Sequence, residues 1–119
     1  MKKTLVIGAS GNPERYAYKA ISMLQGHNHP VEAIGRKEIE VLGVQVHKEN
    51  KAFGGIHSVT LYVNPKIQQE YYDYILSLKP QRVIFNPGTE NPEFYALLKK
   101  NNISYEEACT LVLLTTGQY

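Results

Sequence analysis

Cysteine is almost missing from this sequence, since Cys109 is the only one in 119 residues. An internal disulfide is therefore excluded, and the chain fits the reducing cytoplasm, where disulfides are rare. The sequence also has no stretch near the ~18 uninterrupted apolar residues of a membrane span. Its basic start resembles that of a signal peptide, but the apolar run that follows stops at Gly8. We therefore expect a cytoplasmic protein with no membrane segment.

Clustered charge and metal-binding patterns are missing as well. The net charge is only +2, and the basic residues form no stripe, which argues against a nucleic-acid partner. No metal site is expected either, because the histidines show no ligand spacing and one cysteine cannot complete a set; they are His27, His29, His47 and His57. No order of residues typical of a nucleophilic triad is present, and the pair Glu106 and Glu107 is expected in an exposed loop.

What the sequence does contain is an alternation of strand and helix patterns. Short β-branched or apolar runs at residues 4–7, 31–34, 58–63, 82–85 and 103–105 predict strands, with a further extended piece at 44–46. Asn-Pro pairs at 12–13 and 64–65, and Pro92, predict helix starts. Residues 109–116 fit either a strand or a covering helix. The pattern predicts one α/β domain over residues 1–119, a Rossmann-like three-layer α/β/α fold with a central parallel sheet of about five strands.

Turns rich in small and polar residues follow the first four predicted strands, at residues 8–11, 35–37, 64–65 and 86–88. Parallel strands end at one edge of a sheet, and ligands bind there. The first turn, Gly-Ala-Ser-Gly, lets backbone N–H groups approach a phosphate at a helix N-terminus. It is not the full GxGxxG fingerprint, because Ser10 and Pro13 replace the second and third glycines. The turn therefore predicts either a phosphate site or a tight turn without a ligand.

The charged residues near these turns also allow two interpretations. Arg36 and Lys37 follow the second strand, where basic residues can hold the 2′-phosphate of NADP. The same position suits the ribose 3′-phosphate of coenzyme A (CoA), while the alternative is a pair of solvated loop charges. Glu14 would repel an anion near the first turn, and Arg15 partly offsets it. Ser10 either donates its hydroxyl to a phosphate or satisfies the turn.

In their order, these motifs resemble the small stand-alone CoA-binding proteins, whose domain also forms the CoA-binding part of the succinyl-CoA synthetase alpha subunit. The resemblance covers about residues 4–109. Its most specific segment is residues 8–15, Gly-Ala-Ser-Gly-Asn-Pro-Glu-Arg, followed by Tyr18. Leu-Gly at 42–43, Val-Asn-Pro at 63–65, Asn-Pro-Gly at 86–88 followed by Asn91, and the lone Cys109 occur in the family's order.

The resemblance implies that CoA or an acyl-CoA is bound without catalysis, by a carrier, sensor or regulatory protein. Gly8, Ser10 and the helix start would hold the pyrophosphate, residues 35–37 would face the adenosine phosphate, and residues 63–65 would border the adenine and its ribose. The implied binding residues are Gly8, Ala9, Ser10, Gly11, Asn12, Pro13, Arg15, Tyr18, Gly35, Arg36, Lys37, Val63, Asn64, Pro65, Asn86, Pro87 and Gly88. Cys109 would lie near the pantetheine end, where it either forms a mixed disulfide with the CoA thiol or is a buried, inert residue.

Departures from the family pattern keep two other functions open. Tyr16 and Ala17 stand where the family usually has proline and serine, and Gly35 and Arg36 replace a common Asn-Pro. One alternative is an NADP-dependent oxidoreductase-like nucleotide binder, although little chain is left to build a substrate domain. Another is a Rossmann scaffold without ligand that acts through protein contacts. The apolar residues 111–114 would either cover the sheet or form a homodimer seam.

Overall fold

Seven strands form one sheet in the computed structural model, which describes residues 1–119. They are β1 (Thr4–Ala9), β2 (Val31–Gly35), β3 (Ile39–Val41), β4 (Val44–His47), β5 (Ser58–Leu61), β6 (Arg82–Phe85) and β7 (Ser104–Glu107). Their order across the sheet is β3-β4-β2-β1-β5-β6-β7. All neighbouring strands run parallel except β3 and β4, which are antiparallel. The predicted parallel sheet is confirmed except for the antiparallel pair β3 and β4, and it has seven strands and not about five.

The additional strands are β3 and β4, which form a hairpin at one edge. Its two-residue turn consists of Leu42 and Gly43, whose φ angles are 51° and 82°. Positive φ at both positions matches the twist of a two-residue hairpin. Leucine rarely adopts such a conformation, so only Gly43 marks the turn in the sequence. The extended piece predicted at 44–46 is β4, whereas β3 and its pairing with β4 were not predicted.

Helices cover both faces of the sheet and produce the three layers that the sequence predicted. They are α1 (Tyr16–Gly26), α2 (Pro65–Gln68), α3 (Tyr72–Leu78), α4 (Pro92–Lys100) and α5 (Thr110–Thr115), with a 3-10 turn at Gln69–Tyr71 between α2 and α3. Side chains of a strand alternate between the faces. Leu5 and Ile7 of β1 therefore pack with α3 and α4, whereas Val6 packs with α1 and α5. The interior under α5 also buries a hydrogen-bonded pair of hydroxyls, Thr60 and Thr110, whose oxygens are 2.8 Å apart.

Two of the three predicted helix starts are confirmed. Asn64 and Asn91 cap α2 and α4, since their Oδ1 atoms accept hydrogen bonds from the amides of Ile67 (2.9 Å) and Phe94 (3.3 Å). The start at Asn12 and Pro13 was wrong, because α1 begins at Tyr16. Asn12 Oδ1 instead accepts from the Glu14 amide at 3.0 Å. An asparagine can close such a local turn in place of capping a helix.

The C-terminal part resolves two other expectations. Glu106 and Glu107 lie in the edge strand β7 and not in a loop, and Glu106 Oε2 lies 3.7 Å from Arg82 Nη1. The segment that fitted either a strand or a helix forms α5, which buries Thr110 and Leu114 against the sheet. None of the helices has the length and apolar character that crossing a bilayer requires.

Candidate ligand-binding cleft

A cleft of about 860 Å³ lies at the carboxyl ends of β1, β2, β5 and β6. These strands are mutually parallel, so the loops that follow them meet at this edge of the sheet. The cleft is lined by Gly8, Ala9, Ser10, Gly11, Asn12, Arg15, Tyr16, Ala17, Gly35, Arg36, Lys37, Ile39, Tyr62, Val63, Asn64, Ile67, Tyr71, Pro87, Gly88 and Thr89. The predicted convergence of loops at one edge is therefore observed.

The loop after β1 passes close to the end of β5, and only glycine fits at its start. Gly8 has a φ of 94°, and a Cβ atom there would lie 2.9 Å from the backbone oxygen of Tyr62. Further along the loop, Ser10 Oγ accepts a hydrogen bond from the Asn12 amide at 3.1 Å. Because that bond uses the oxygen as acceptor, the Ser10 hydroxyl proton is free to donate into the cleft.

The N-terminus of α1 opens into the same space. Its first residues line the cleft, no side chain caps it, and its first turn contains no acidic residue. The first N–H groups of a helix lack partners within the helix, and together with the helix dipole they favour an anion. Glu14, which could have repelled one, does not line the cleft. This helix end is therefore available to a phosphate.

All of the charged side chains that line the cleft are positive. Arg15, Arg36 and Lys37 line it, and no aspartate or glutamate does. None of these three cations takes part in a salt bridge, since the three ion pairs of the molecule lie elsewhere. Cations without carboxylate partners attract an anionic ligand by the summed field they produce. The cleft is therefore suited to phosphates at more than one point.

An apolar wall, which sequence reasoning missed, faces these cations. Ile67 and Tyr71 come from α2 and the 3-10 turn after it, and Ile39 comes from β3. Burial raises the pKa of Tyr71, while the nearby positive charge of Arg36 acts in the opposite direction. Tyr71 and Arg36 both line the cleft, an arrangement that can receive a flat ring and a phosphate.

Tyr62 forms part of the cleft floor without offering a reactive group. Its hydroxyl is buried and has no hydrogen-bond partner, and burial raises its pKa to about 12. It therefore remains protonated at neutral pH. Tyr62 directly precedes Val63, one of the predicted site residues, and this adjacency was the only signal in the sequence that could have pointed to it.

Most of the predicted site residues line the cleft, and five do not: Pro13, Tyr18, Pro65, Asn86 and Cys109. Tyr18 packs against the core beneath α1. The Asn86 side chain is buried, and its Nδ2 donates to Thr60 Oγ1 (2.7 Å) and to the Leu61 carbonyl (2.9 Å). Its Oδ1 accepts from the Thr110 amide at 2.9 Å. Asn86 therefore joins β5 and β6 to the start of α5, and both of its side-chain N–H groups are used within the protein.

Cys109 is half-buried and occupies the N-cap position of α5, beyond the end of β7. It lies outside the cleft lining. A mixed disulfide with a ligand thiol would require the ligand to extend past the loop that follows β6. No group of three or more histidine, cysteine, aspartate or glutamate side chains is arranged to hold a metal ion.

Fold and cleft together define a Rossmann-like α/β protein with a positively charged cleft at the carboxyl edge of its sheet. More particularly, the chain belongs to the CoA binding domain family, whose model matches residues 2–115. No curated protein matches the chain.

Several solved structures share this fold. One, of a protein described only as uncharacterized, is 50% identical, with a TM-score of 0.97 over 100% of this chain and 98% of the other. A hypothetical protein from Pyrococcus horikoshii OT3 is 27% identical, with a TM-score of 0.86 over 93% and 80%. Prb, the PH1109 protein redesigned for binding, shares the fold at 23% identity, with a TM-score of 0.88 over 98% and 83%.

Proposed function

We propose that this protein binds CoA or an acyl-CoA in the cleft, as a cytoplasmic carrier, sensor or regulatory protein. One observation carries the proposal: the cleft presents three cations and an uncapped helix N-terminus, and no carboxylate lines it. CoA is an elongated anion with a 3′-phosphate and a pyrophosphate, so it needs positive potential at two separate points. Membership of the CoA binding domain family supports the same ligand.

The order of the strands suggests how such a ligand would lie. Arg36 and Lys37 follow β2, the loop of Gly8 to Asn12 follows β1, and Pro87 follows β6 on the opposite side of β5. A 3′-phosphate at Arg36 and a pyrophosphate at the start of α1 would leave the adenine against Ile67 and Tyr71. The pantetheine arm would then run toward the loop after β6. The sequence-implied residues Ser10 and Arg15 would contact the pyrophosphate.

The lining also supports binding without catalysis. It contains no histidine, cysteine, aspartate or glutamate, the residues that most often serve as general bases or nucleophiles. Its polar hydroxyls are those of serine, threonine and tyrosine, and Tyr62 holds its proton because its pKa lies at about 12. The Ser10 hydroxyl has no basic side chain as a hydrogen-bond partner that would activate it. A ligand would therefore be held and not transformed.

A comparison of thermal unfolding with different nucleotides tests the proposal. A ligand that binds only the folded state stabilises it by RT ln(1 + [L]/Kd), ~2.7 kcal/mol at a hundredfold excess over Kd. We expect CoA to raise the unfolding temperature, with NADPH at the same concentration having little effect. Stabilisation by NADPH alone would instead support the oxidoreductase-like alternative. No stabilisation by either ligand would support a scaffold that acts through protein contacts.

A further inference from the structure

Gln68, the last residue of α2, connects two loops of the cleft from beneath. Its side chain is fully buried. Its Nε2 donates to the carbonyl oxygens of Val63 and Thr89, each at 2.8 Å. Val63 and Thr89 both line the cleft, but they follow different strands, β5 and β6. One amide group therefore fixes the distance between the two loops.

The acceptor atom of the same amide is also used. Asn91 Nδ2 donates to Gln68 Oε1 at 2.9 Å and to the Tyr72 hydroxyl at 2.8 Å. The Tyr72 hydroxyl donates in turn to Glu93 Oε1 at 3.0 Å. Gln68, Asn91 and Tyr72 thus form a continuous hydrogen-bonded set, which we call the amide network. Buried polar groups that are all paired rigidify their surroundings.

The amide network lies at the break between α2 and α3. The chain there changes to a 3-10 turn, Gln69–Tyr71, a geometry that often accompanies functional positions when it interrupts a helix. Tyr71 lines the cleft, whereas its neighbour Tyr72 belongs to the amide network. Tyr72 is held by its hydroxyl and directly follows Tyr71, which forms part of the cleft wall. The amide network therefore holds the chain next to this wall.

We propose that Gln68 is a positioning residue that sets the width of the cleft between the segment after β5, at Val63, and the loop after β6, at Thr89. This width in turn determines the affinity of the cleft for CoA. The inference rests on the proposed function for its ligand. A primary amide is required at this position because it supplies two donors and one acceptor at once. Glutamate lacks the donors, and methionine has a similar shape but lacks all three groups.

Two variants of the network test this role. Gln68→Met should raise hydrogen–deuterium exchange in the loops around Val63 and Thr89 while leaving β1 protected. Asn91→Asp keeps the oxygen that caps α4 and removes both donors, so it should open the same loops without loss of helix. Gln69→Met, at the exposed neighbouring position, is the matched control and should exchange like the wild type.

Ligand binding supplies the second measurement. We expect Gln68→Met to weaken CoA about tenfold, because binding would then have to restore the spacing of two loops that the amide no longer holds in place. Inorganic pyrophosphate, held by the loop after β1 and the start of α1, should keep its affinity. A merely structural role would weaken both ligands together, and that result would overturn the proposal.

The exchange measurement separates this inference from the proposed function. Unchanged exchange in both loops of Gln68→Met would overturn the positioning role whether or not CoA binds. Opened loops with unchanged CoA affinity would overturn it as well. If the wild type does not bind CoA at all, the proposed function fails, and with it the claim on affinity; exchange then still decides whether Gln68 sets the cleft width.

Discussion

Arg36 is the single residue with the most specific chemical role in the proposed complex. It lines the cleft and has no carboxylate partner. If its guanidinium meets the 3′-phosphate, Arg36→Ala should weaken CoA about tenfold, the low end for an exposed charge-assisted contact. Dephospho-CoA, which lacks that phosphate, should bind the variant and the wild type alike. Calorimetric titration of both ligands measures the difference.

The control for this variant is Lys99→Ala, an exposed lysine in the last turn of α4 and outside the cleft. It removes one positive charge without touching the proposed site, so both ligands should keep their affinities. Equal losses for CoA and dephospho-CoA in Arg36→Ala would show that the arginine contributes only to the general field of the cleft. The 3′-phosphate would then need another partner, with Lys37 the nearest one in the sequence.

Gly8 gives a prediction about stability at the same scale. A methyl group there would lie 2.9 Å from the Tyr62 oxygen and 3.0 Å from Val63 Cγ1, at a φ of 94°. We expect Gly8→Ala to lower the free energy of unfolding by about 1–3 kcal/mol, as for other strained backbone positions. Gly26→Ala is the control, because no atom lies within 4 Å of its Cβ position and its φ is not positive. Urea unfolding of both variants that shows equal stability would contradict the steric argument.

At the scale of secondary-structure elements, a negative charge placed at the N-terminus of α1 should raise the stability of the protein and weaken its binding of CoA. Tyr16, the first residue of the helix, is 66% exposed and borders the cleft. Tyr16→Glu places a carboxylate at the positive end of the helix dipole and should add about 0.3–1 kcal/mol of stability. The same charge would compete with the pyrophosphate and weaken CoA.

Tyr16→Gln is the matched comparison for this effect, since it has the same shape as the glutamate variant without the charge. The two variants should differ in stability, measured by urea unfolding, and in CoA affinity, with the stabler one binding less tightly. If the glutamate variant gains stability and also binds CoA as well as the glutamine variant does, the pyrophosphate does not occupy the helix end.

The same elements show why part of the fold was predictable from sequence and part was not. Asn64 and Asn91 each precede a proline, and each caps a helix as this local signal indicates. Asn12 carries the same signal, but its side chain bonds the Glu14 amide and the helix starts later. Leu42 shows the opposite case, because it adopts a positive φ that its residue type does not indicate, next to Gly43, which does carry a turn signal.

At the scale of the whole molecule, the part of the site that could be predicted from sequence is the part formed by loops that follow parallel strands. Loops after parallel strands converge, so Gly8 and Arg36 were predictable as neighbours of one cleft. Tyr71 was not, because it shares a helix-spaced pattern with core residues and turns toward the cleft only where the helix breaks. Asn86 follows a strand as expected, but α5 folds back over the sheet and uses its side chain. These outcomes depend on packing between distant elements.

The cleft lies at the carboxyl ends of the parallel strands, whereas two histidines lie near their amino ends. These histidines lead to a prediction for how stability depends on pH. His29 and His57 lie near the amino edge, opposite the cleft, where His29 Nδ1 accepts from the Lys2 amide at 3.0 Å. Burial, followed by nearby positive charges, lowers the pKa of both histidines from 6.5. The unfolded chain therefore takes up protons first as the pH falls below about 6.5, so protonation favours unfolding in that range.

Stability should consequently decrease between about pH 7 and pH 5.5, above the range in which carboxylates begin to titrate. Urea unfolding across this interval measures the slope. His57→Gln and His29→Gln should each flatten it, because each removes a group that takes up its proton at a lower pH in the folded chain than in the unfolded one. If both variants kept the wild-type slope, the proton uptake would have to arise elsewhere, and the amino edge would have no part in the pH response.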